Sequence, residues 1–303
     1  MEYILLDLEW NGAYCKSAGK FVNEIIEIGA VRLNERLEEV DGFRQMVRSQ
    51  LTKRLCGRFK ELTNITNEEM AAGIPFAQAL AAYTAWAGKK AVTMTWSNTD
   101  LYVLLENCRL FGGEERIPCI GLYADLQRYV QEKLRERGIE QQGQMSLAHA
   151  AEAFGLDTSG FDLHRAQDDS RVCCELLRRT FDEEALTACF ENTLAADYYD
   201  RLTFKSYMIS DLNSPYIDKN ELRFRCEACG RFARRMGKWV FKNRMFRANF
   251  RCGNCGHTFQ GRIGFKKRYD SVDIKRVVEP IPEEAPADQT ATQPTTAAQA
   301  AAE

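Results

Sequence analysis

The sequence predicts an α/β protein, a mixed sheet flanked by helices, followed by a small β domain and a disordered tail. Three observations carry this. The chain opens on a short, continuously apolar run, Tyr3-Ile4-Leu5-Leu6, which suits a central strand covered on both faces. β-rich segments and helical periodicities then follow one another to about residue 182. Near the C-terminus, four of the eleven cysteines are grouped as two Cys-x-x-Cys pairs. The expected division is 1–182 for the main domain, 183–220 for a helical extension and linker, 221–275 for the cysteine-bearing domain and 276–303 for the tail.

The first strand ends in two acids, Asp7 and Glu9. Residues i and i+2 of a strand share a face about 7 Å apart, so both carboxylates point one way while Leu6 and Leu8 point the other. A polar, Gly-containing loop is expected over Asn11–Lys20. Strands over Glu24–Leu33 and Phe43–Val47 would complete an antiparallel meander. Leu62-Thr63-Asn64-Ile65-Thr66 reads as a loop with capping residues. Phe76, Leu80, Tyr83 and Trp86 recur at helical spacing, and Gly88 stops that helix. Ala91–Trp96 is the next strand. It leads into Ser97-Asn98-Thr99-Asp100, a polar cluster able to cap a helix from Leu101 to Leu110. Helices are expected over Leu122–Arg137, ending at Gly138, and over Ser146–Phe154, ending at Gly155. A further helix follows His164-Arg165-Ala166-Gln167-Asp168-Asp169, with Val172, Leu176, Leu177 and Phe181 on its apolar face. Glu183–Leu202 still reads as helical, and Asn213-Ser214-Pro215 as a linker. From Glu279 onward Glu, Pro, Ala, Thr and Gln dominate and aromatics vanish, the composition of a disordered tail.

Charge separates the chain into two characters. Residues 221–270 hold 14 Lys/Arg against the three acids Glu221, Glu227 and Asp270, a net of +11, which leaves −13 for the remainder. An acidic body with a basic appendage points to a polyanionic partner for the appendage. No apolar run reaches the length of a membrane span, and the first residues lack a basic stretch followed by a signal-type apolar core. A cytoplasmic protein with no membrane partner is expected. Cys15, Cys56, Cys108, Cys119, Cys173, Cys174 and Cys189 are scattered and read as small hydrophobes rather than a disulfide framework.

Four separated segments offer metal-ligand or acid–base groups: Asp7 with Glu9, Asp100, His164, and Asp168 or Asp169. In order and surroundings they resemble the DEDDh family of 3′–5′ exonucleases, which share the RNase H-like fold. The first motif of that family resembles Asp7-Leu8-Glu9 followed by Glu27-Ile28-Gly29-Ala30. The second resembles Trp96-Ser97-Asn98-Thr99-Asp100, with Ser97-Asn98-Thr99 the looser part. The third resembles His164-Arg165-Ala166-Gln167-Asp168-Asp169, closest to the RNA-trimming branch. The loop Glu61–Thr66 and Ser146-Leu147 also fit. The match covers roughly residues 1–180. It implies an RNase H-like mixed five-stranded sheet. It also implies that Asp7, Glu9, Asp100 and Asp169 hold two Mg²⁺ or Mn²⁺ ions, with Asp7 shared between them. The family spacing selects Asp169 over Asp168, which is left to support the helix N-terminus or brace the site. His164, whose unperturbed pKa lies near 6.5, would take the proton from the attacking water. Trp10 stands where it can stack on a terminal base or pack against a neighbouring helix. Glu24 and Glu27 flank apolar strand residues and are not assigned to the metals.

Cys226-Glu227-Ala228-Cys229-Gly230 is followed, after 22 intervening residues from Cys229, by Cys252-Gly253-Asn254-Cys255-Gly256. Two such knuckles, each with a glycine that permits a tight turn, resemble a zinc ribbon. A four-thiolate site is closed, so one structural zinc is expected, with His257 as the alternative ligand. Between the knuckles, Phe232, Trp239, Phe241, Phe246 and Phe250 alternate with Arg234, Arg235, Lys238, Lys242, Arg244 and Arg247. Cations for phosphates and aromatics for bases make a nucleic-acid platform. The alternative is a small aromatic core wearing a solubilising shell. The functional expectation is a two-metal 3′–5′ exonuclease acting on single-stranded RNA or DNA and releasing nucleoside 5′-monophosphates. Its rival is a non-catalytic adaptor that works through the zinc ribbon.

Overall fold

A computed structural model describes residues 1–139 and 143–281. They form two units, Met1–Thr203 and the residues from Phe204 onward. The tail from residue 282 lies outside the described residues, as do residues 140–142.

The first unit is built on a six-stranded sheet in the order β3-β2-β1-β4-β5-β6. Strands β1 (Tyr3–Cys15), β2 (Lys20–Leu33) and β3 (Glu39–Met46) form the antiparallel meander. The polar stretch expected to be a loop is instead the arm of a hairpin: pairing continues from Asn11 to Cys15 against Lys20–Glu24. The arm projects past β3, so its residues need not be apolar on both faces, and that is why the composition suggested a loop.

Helices α1 (Gly57–Thr63), α2 (Asn67–Ala72) and α3 (Phe76–Ala87) follow. Strand β4 (Val92–Thr95) lies parallel to β1, and Ser97 caps α4 (Asn98–Asn107) by accepting from the Thr99 amide at 3.3 Å. The segment expected to be one helix from Leu122 divides into β5 (Leu122–Asp125) and α5 (Leu126–Glu136). Tyr123 and Thr95 join their buried hydroxyls across β4 and β5 at 2.7 Å, a cross-strand contact that helical periodicity does not reveal. After α6 (Leu147–Ala153), α7 (Ala166–Thr180) buries Val172, Leu176 and Leu177 as expected. The next stretch is not continuously helical: α8 (Glu183–Thr187) and α9 (Tyr198–Thr203) flank the two-residue strand β6 (Glu191–Asn192), which adds a sixth strand to the expected five.

Two apolar layers cover the sheet. Leu6 and Leu8 pack with Phe76, Tyr83, Leu101 and Leu104 of α3 and α4. Tyr3 and Leu5 pack with Tyr129, Val172, Leu176 and Leu177 of α5 and α7. The strand alternation therefore turns Asp7 and Glu9 to the α7 side.

The second unit is an antiparallel sheet in the order β11-β10-β9-β8, with β7 (Tyr207–Met208) also paired to β10. Its main strands are β8 (Arg234–Lys242), β9 (Met245–Arg251), β10 (Thr258–Lys267) and β11 (Val272–Glu279). Asn243 (φ 51°) and Arg244 (φ 60°) make the two-residue turn between β8 and β9, both in the left-handed region that such hairpins require. Arg276–Glu279, expected to belong to the tail, instead pair with Gln260–Ile263 of β10.

Candidate active site and cysteine cluster

Three segments distant in sequence meet at β1. Asp7, Glu9 and Asp169 each bring a carboxylate oxygen, and these oxygens lie within 4.8 Å of one another. Asp100 is not in that triad but is tied to the same strand. The Leu8 amide, between the two acids of β1, favours its ionised form, and Asp169 opposes it. The His164 amide donates to Asp169 Oδ2 at 3.2 Å, while the residue itself stays exposed. His164 has φ 69°, an uncommon backbone conformation for a residue other than glycine.

The electrostatics are those of a crowded anionic site. Burial, then Asp100, Asp169, Glu9 and Glu27, raise the Asp7 carboxyl well above the ordinary range. Glu9 is pushed up to about 9 by burial and by Asp169, Glu27 and Asp100. Burial lifts Asp100 to about 7, opposed by hydrogen bonds from its own amide and that of Leu8. Asp169 rises to about 6 from burial, with His164 pulling the other way. Hard oxygen donors at this density lack the countercharge that ionisation needs, and a divalent cation would supply it.

The framework that brings α7 to β1 involves residues to which the sequence assigned no role in holding the site. Glu27, 0% exposed, accepts from Arg44 Nε at 2.7 Å, Arg165 at 3.2 Å and the Ala166 amide at 3.3 Å. It fastens the start of α7 to β2. Gly29 faces Asp7 in the ladder. A Cβ there would lie 2.2 Å from the Gln167 amide nitrogen and 2.3 Å from the Ala166 carbonyl carbon, so only glycine permits the approach. Ser170 Oγ adds a hydrogen bond to the Gly29 carbonyl at 3.2 Å. The signal for Glu27 was a buried charge in an apolar strand, which requires a partner.

Asp168 takes a different part from Asp169. It accepts from the Asp162 amide at 3.1 Å and from Arg171 at 2.9 Å, bracing the loop that carries His164. Trp10 is half-buried against the layer formed by Leu6 and Leu8.

In the second unit, Cys226, Cys229, Cys252 and Cys255 converge, with Sγ–Sγ distances of 3.5 Å for Cys226–Cys255 and 3.4 Å for Cys229–Cys252. The two knuckles repeat one geometry. The Gly230 amide donates to the Cys226 carbonyl at 2.8 Å, the Gly256 amide to the Cys252 carbonyl at 3.0 Å, and both glycines have positive φ. The amides of Cys255 and Asn254 hold the Cys252 thiol down to about 6. Four converging soft donors, one already favoured as a thiolate, fit a tetrahedral zinc. His257 stacks on Phe259 at 5.8 Å, and its ring is not among the converging ligands.

Arg234, Arg235, Lys238, Lys242 and Arg244 are all exposed on β8 and the following turn. Trp239 is placed differently from expectation. It packs 6.2 Å from Phe224 and 5.7 Å from Phe250, so its ring serves the core of this unit. Phe246 and Phe250 are buried as well, and the exposed aromatics are Phe232 and Phe241.

Fold and site together define a nuclease with an acid-lined centre on an RNase H-like sheet. The exonuclease (RNase_T) family model matches residues 4–177, more than half the chain, and the chain belongs to this family of 3′–5′ exonucleases. A probable 3′–5′ exonuclease of Bacillus subtilis, KapD, is 28% identical over 179 residues, covering 58% of this chain and 82% of its own. The nuclease domain of 3′hExo, a DEDDh family member bound to rAMP, aligns with a TM-score of 0.50 at 25% identity, over 59% of this chain and 90% of that one. A 3′-exonuclease in a complex of histone mRNA stem-loop recognition aligns with a TM-score of 0.50 at 24% identity, over 59% and 80%. The family uses divalent metals. Among the described residues, no helix is long and apolar enough to cross a membrane.

Proposed function

We propose that the first unit hydrolyses single-stranded RNA or DNA from the 3′ end, releasing nucleoside 5′-monophosphates, and that Asp7, Glu9, Asp100 and Asp169 hold a pair of Mg²⁺ or Mn²⁺ ions. The observation that carries this is the convergence of Asp7, Glu9 and Asp169, whose carboxylate oxygens lie within 4.8 Å of one another. Such ions, when bound, supply Lewis-acid activation of water and stabilise charge on the leaving oxygen. The carboxylates fix where the scissile phosphate sits. His164, exposed and one amide hydrogen bond from Asp169, takes the proton of the attacking water. The rAMP held by the 3′hExo nuclease domain supports a nucleoside monophosphate as product.

The second unit binds one structural zinc through its four cysteines and contacts nucleic acid through Arg234, Arg235, Lys238, Lys242 and Arg244. Among the described residues, the side chains of Arg234, Lys238, Lys242 and Arg244 have no ion pair, which supports a role toward an external anion.

The test is digestion of 5′-labelled RNA and DNA oligomers with Mn²⁺, by the unaltered protein and by Asp7→Asn. Stepwise shortening with mononucleotide release, lost in Asp7→Asn, is expected. Equal digestion by both proteins would remove the acids from the chemistry. His164→Ala should lower kcat by about 10²–10⁴-fold.

A further inference from the structure

We propose that the segment Arg48–Lys60 binds the phosphodiester backbone of the substrate strand, through Lys53, Arg54 and Lys60, beside the acids that cut it. The proposal rests on the exonuclease reading for where the strand is going, and on its own observations for the contact.

The first observation is charge. Residues 1–203 carry 23 cations against 32 carboxylates, yet residues 42–60 contain six cations and no carboxylate. One of the six, Arg44, is engaged with Glu27. Arg48, Lys53, Arg54 and Lys60 are exposed, and among the described residues none of their side chains has an ion pair or hydrogen bond. An unneutralised basic strip inside an acidic unit invites an external polyanion.

The second observation is place. Asn11 lies two residues beyond Glu9 on β1, about 7 Å along the strand and just past the register shift between Glu9 and Trp10. Its Oδ1 accepts from the Cys56 amide at 3.0 Å, so the basic segment is tied to β1 two residues past the second acid. Farther on, Glu69 of α2 meets Arg165, the neighbour of His164, at 3.3 Å. The stretch from Arg48 to Glu69 is thus a wall that touches both the first and the third acid-bearing segments.

The third observation is that the wall is held in position. Glu24, 3% exposed, accepts from Ser49 Oγ and the Gln50 amide. Thr52 donates its amide to Ser49 Oγ at 3.0 Å, and Leu55 its amide to Asn67 Oδ1 at 2.9 Å. Leu55 packs with Ile26, Ile65 and Met70. A loop whose charges only kept it in solution would have no need of these buried anchors. Cations on an anchored segment would hold the strand while the scissile phosphate is presented.

The experiment uses the full chain. Binding of a fluorescein-labelled single-stranded hexanucleotide is followed by anisotropy, without divalent metal, from 50 to 300 mM salt. Single-strand binding loses about 0.7 in the slope of log affinity against log salt per phosphate contact, so Lys53→Ala/Arg54→Ala should flatten the slope by about 1.4. Lys53→Arg/Arg54→Lys should keep it, which a lost fold would not do. An unchanged slope in the alanine variant, at an unchanged melting temperature, overturns the proposal. The exonuclease reading is judged separately, by whether the unaltered protein cleaves a dinucleotide with Mn²⁺.

Discussion

At the scale of single residues, the site depends on side chains that never face substrate. Gly29 is the clearest. Its missing Cβ is what lets Ala166 and Gln167 lie against β2 and carry Asp169 to Asp7 and Glu9. Gly29→Ala meets backbone rather than a flexible side-chain tip, so the helix must shift. Overpacking of that kind costs about 1–3 kcal/mol. A melting temperature about 3–10 °C lower is expected, with a fall in kcat, by thermal denaturation and kinetics on one preparation. The two adjacent aspartates give a second residue-scale prediction. Asp169→Asn should lower activity by more than about 100-fold, since it removes a ligand where loss of even an outer contact costs 10–100-fold. Asp168→Asn should stay within about tenfold, because an amide oxygen can still accept from Asp162. Equal losses would show that spacing had selected the wrong residue. Proximity to a histidine motif made both visible in the sequence, but only the fold showed Asp168 turned to Asp162 and Arg171.

Among elements, the acid-bearing strand and α7 are joined under electrostatic load. Asp7, Glu9, Asp100 and Asp169 all have raised carboxyl pKa values. A carboxyl raised in the folded state binds its proton more tightly folded than unfolded. Its contribution is therefore complete below the unfolded value near 4 and is lost as pH rises through about 6 for Asp169, 7 for Asp100 and 9 for Glu9. The metal-free protein should melt at progressively lower temperature from pH 5 to pH 9. Mg²⁺ or Mn²⁺ should raise the melting temperature more at pH 8 than at pH 5, where protons compete for the same oxygens. Scanning calorimetry at the two pH values checks both signs; a larger metal effect at pH 5 would refute the ligand assignment. The cysteine knuckles are the second element under this test. Elemental analysis should find about one zinc per chain, and Cys252→Ser should lose it along with the fold of the second unit.

For the whole molecule, the two units divide at 203/204. Tyr198 and Tyr199 of α9 are buried in the first unit's core, so a chain ending at Thr203 retains a complete apolar layer. That shortened chain should still release mononucleotides, but bind oligomers more weakly and with a flatter salt dependence than the full chain. An unchanged salt slope would leave the second unit's cations without a role toward nucleic acid. The net charge of −2 conceals this division, because the basic residues of one unit nearly cancel the acids of the other.

The chain by itself determined the meander, the helical faces of α3 and α7, and the knuckle glycines. Each follows from local rules: strand alternation, 3.6-residue spacing, and the left-handed turns that glycine allows. Through resemblance to a family with the same ordered motifs it also singled out Asp7, Glu9 and Asp169, acids that the fold brings together. Tertiary structure alone decided the hairpin arm beyond Glu9, the division of Leu122–Glu136 into strand and helix, and the sixth strand at Glu191. It alone decided that Glu27, Gly29 and Arg165 hold the site together, and that Trp239 belongs to a core. Apart from the hairpin arm, whose partners are nearby in sequence, the deciding partner is remote: Tyr123 needs Thr95, Gly29 needs Ala166, and Glu27 needs Arg165. Periodicity reports the environment of a residue along its own segment, whereas burial against a distant segment is fixed only when the chain closes on itself.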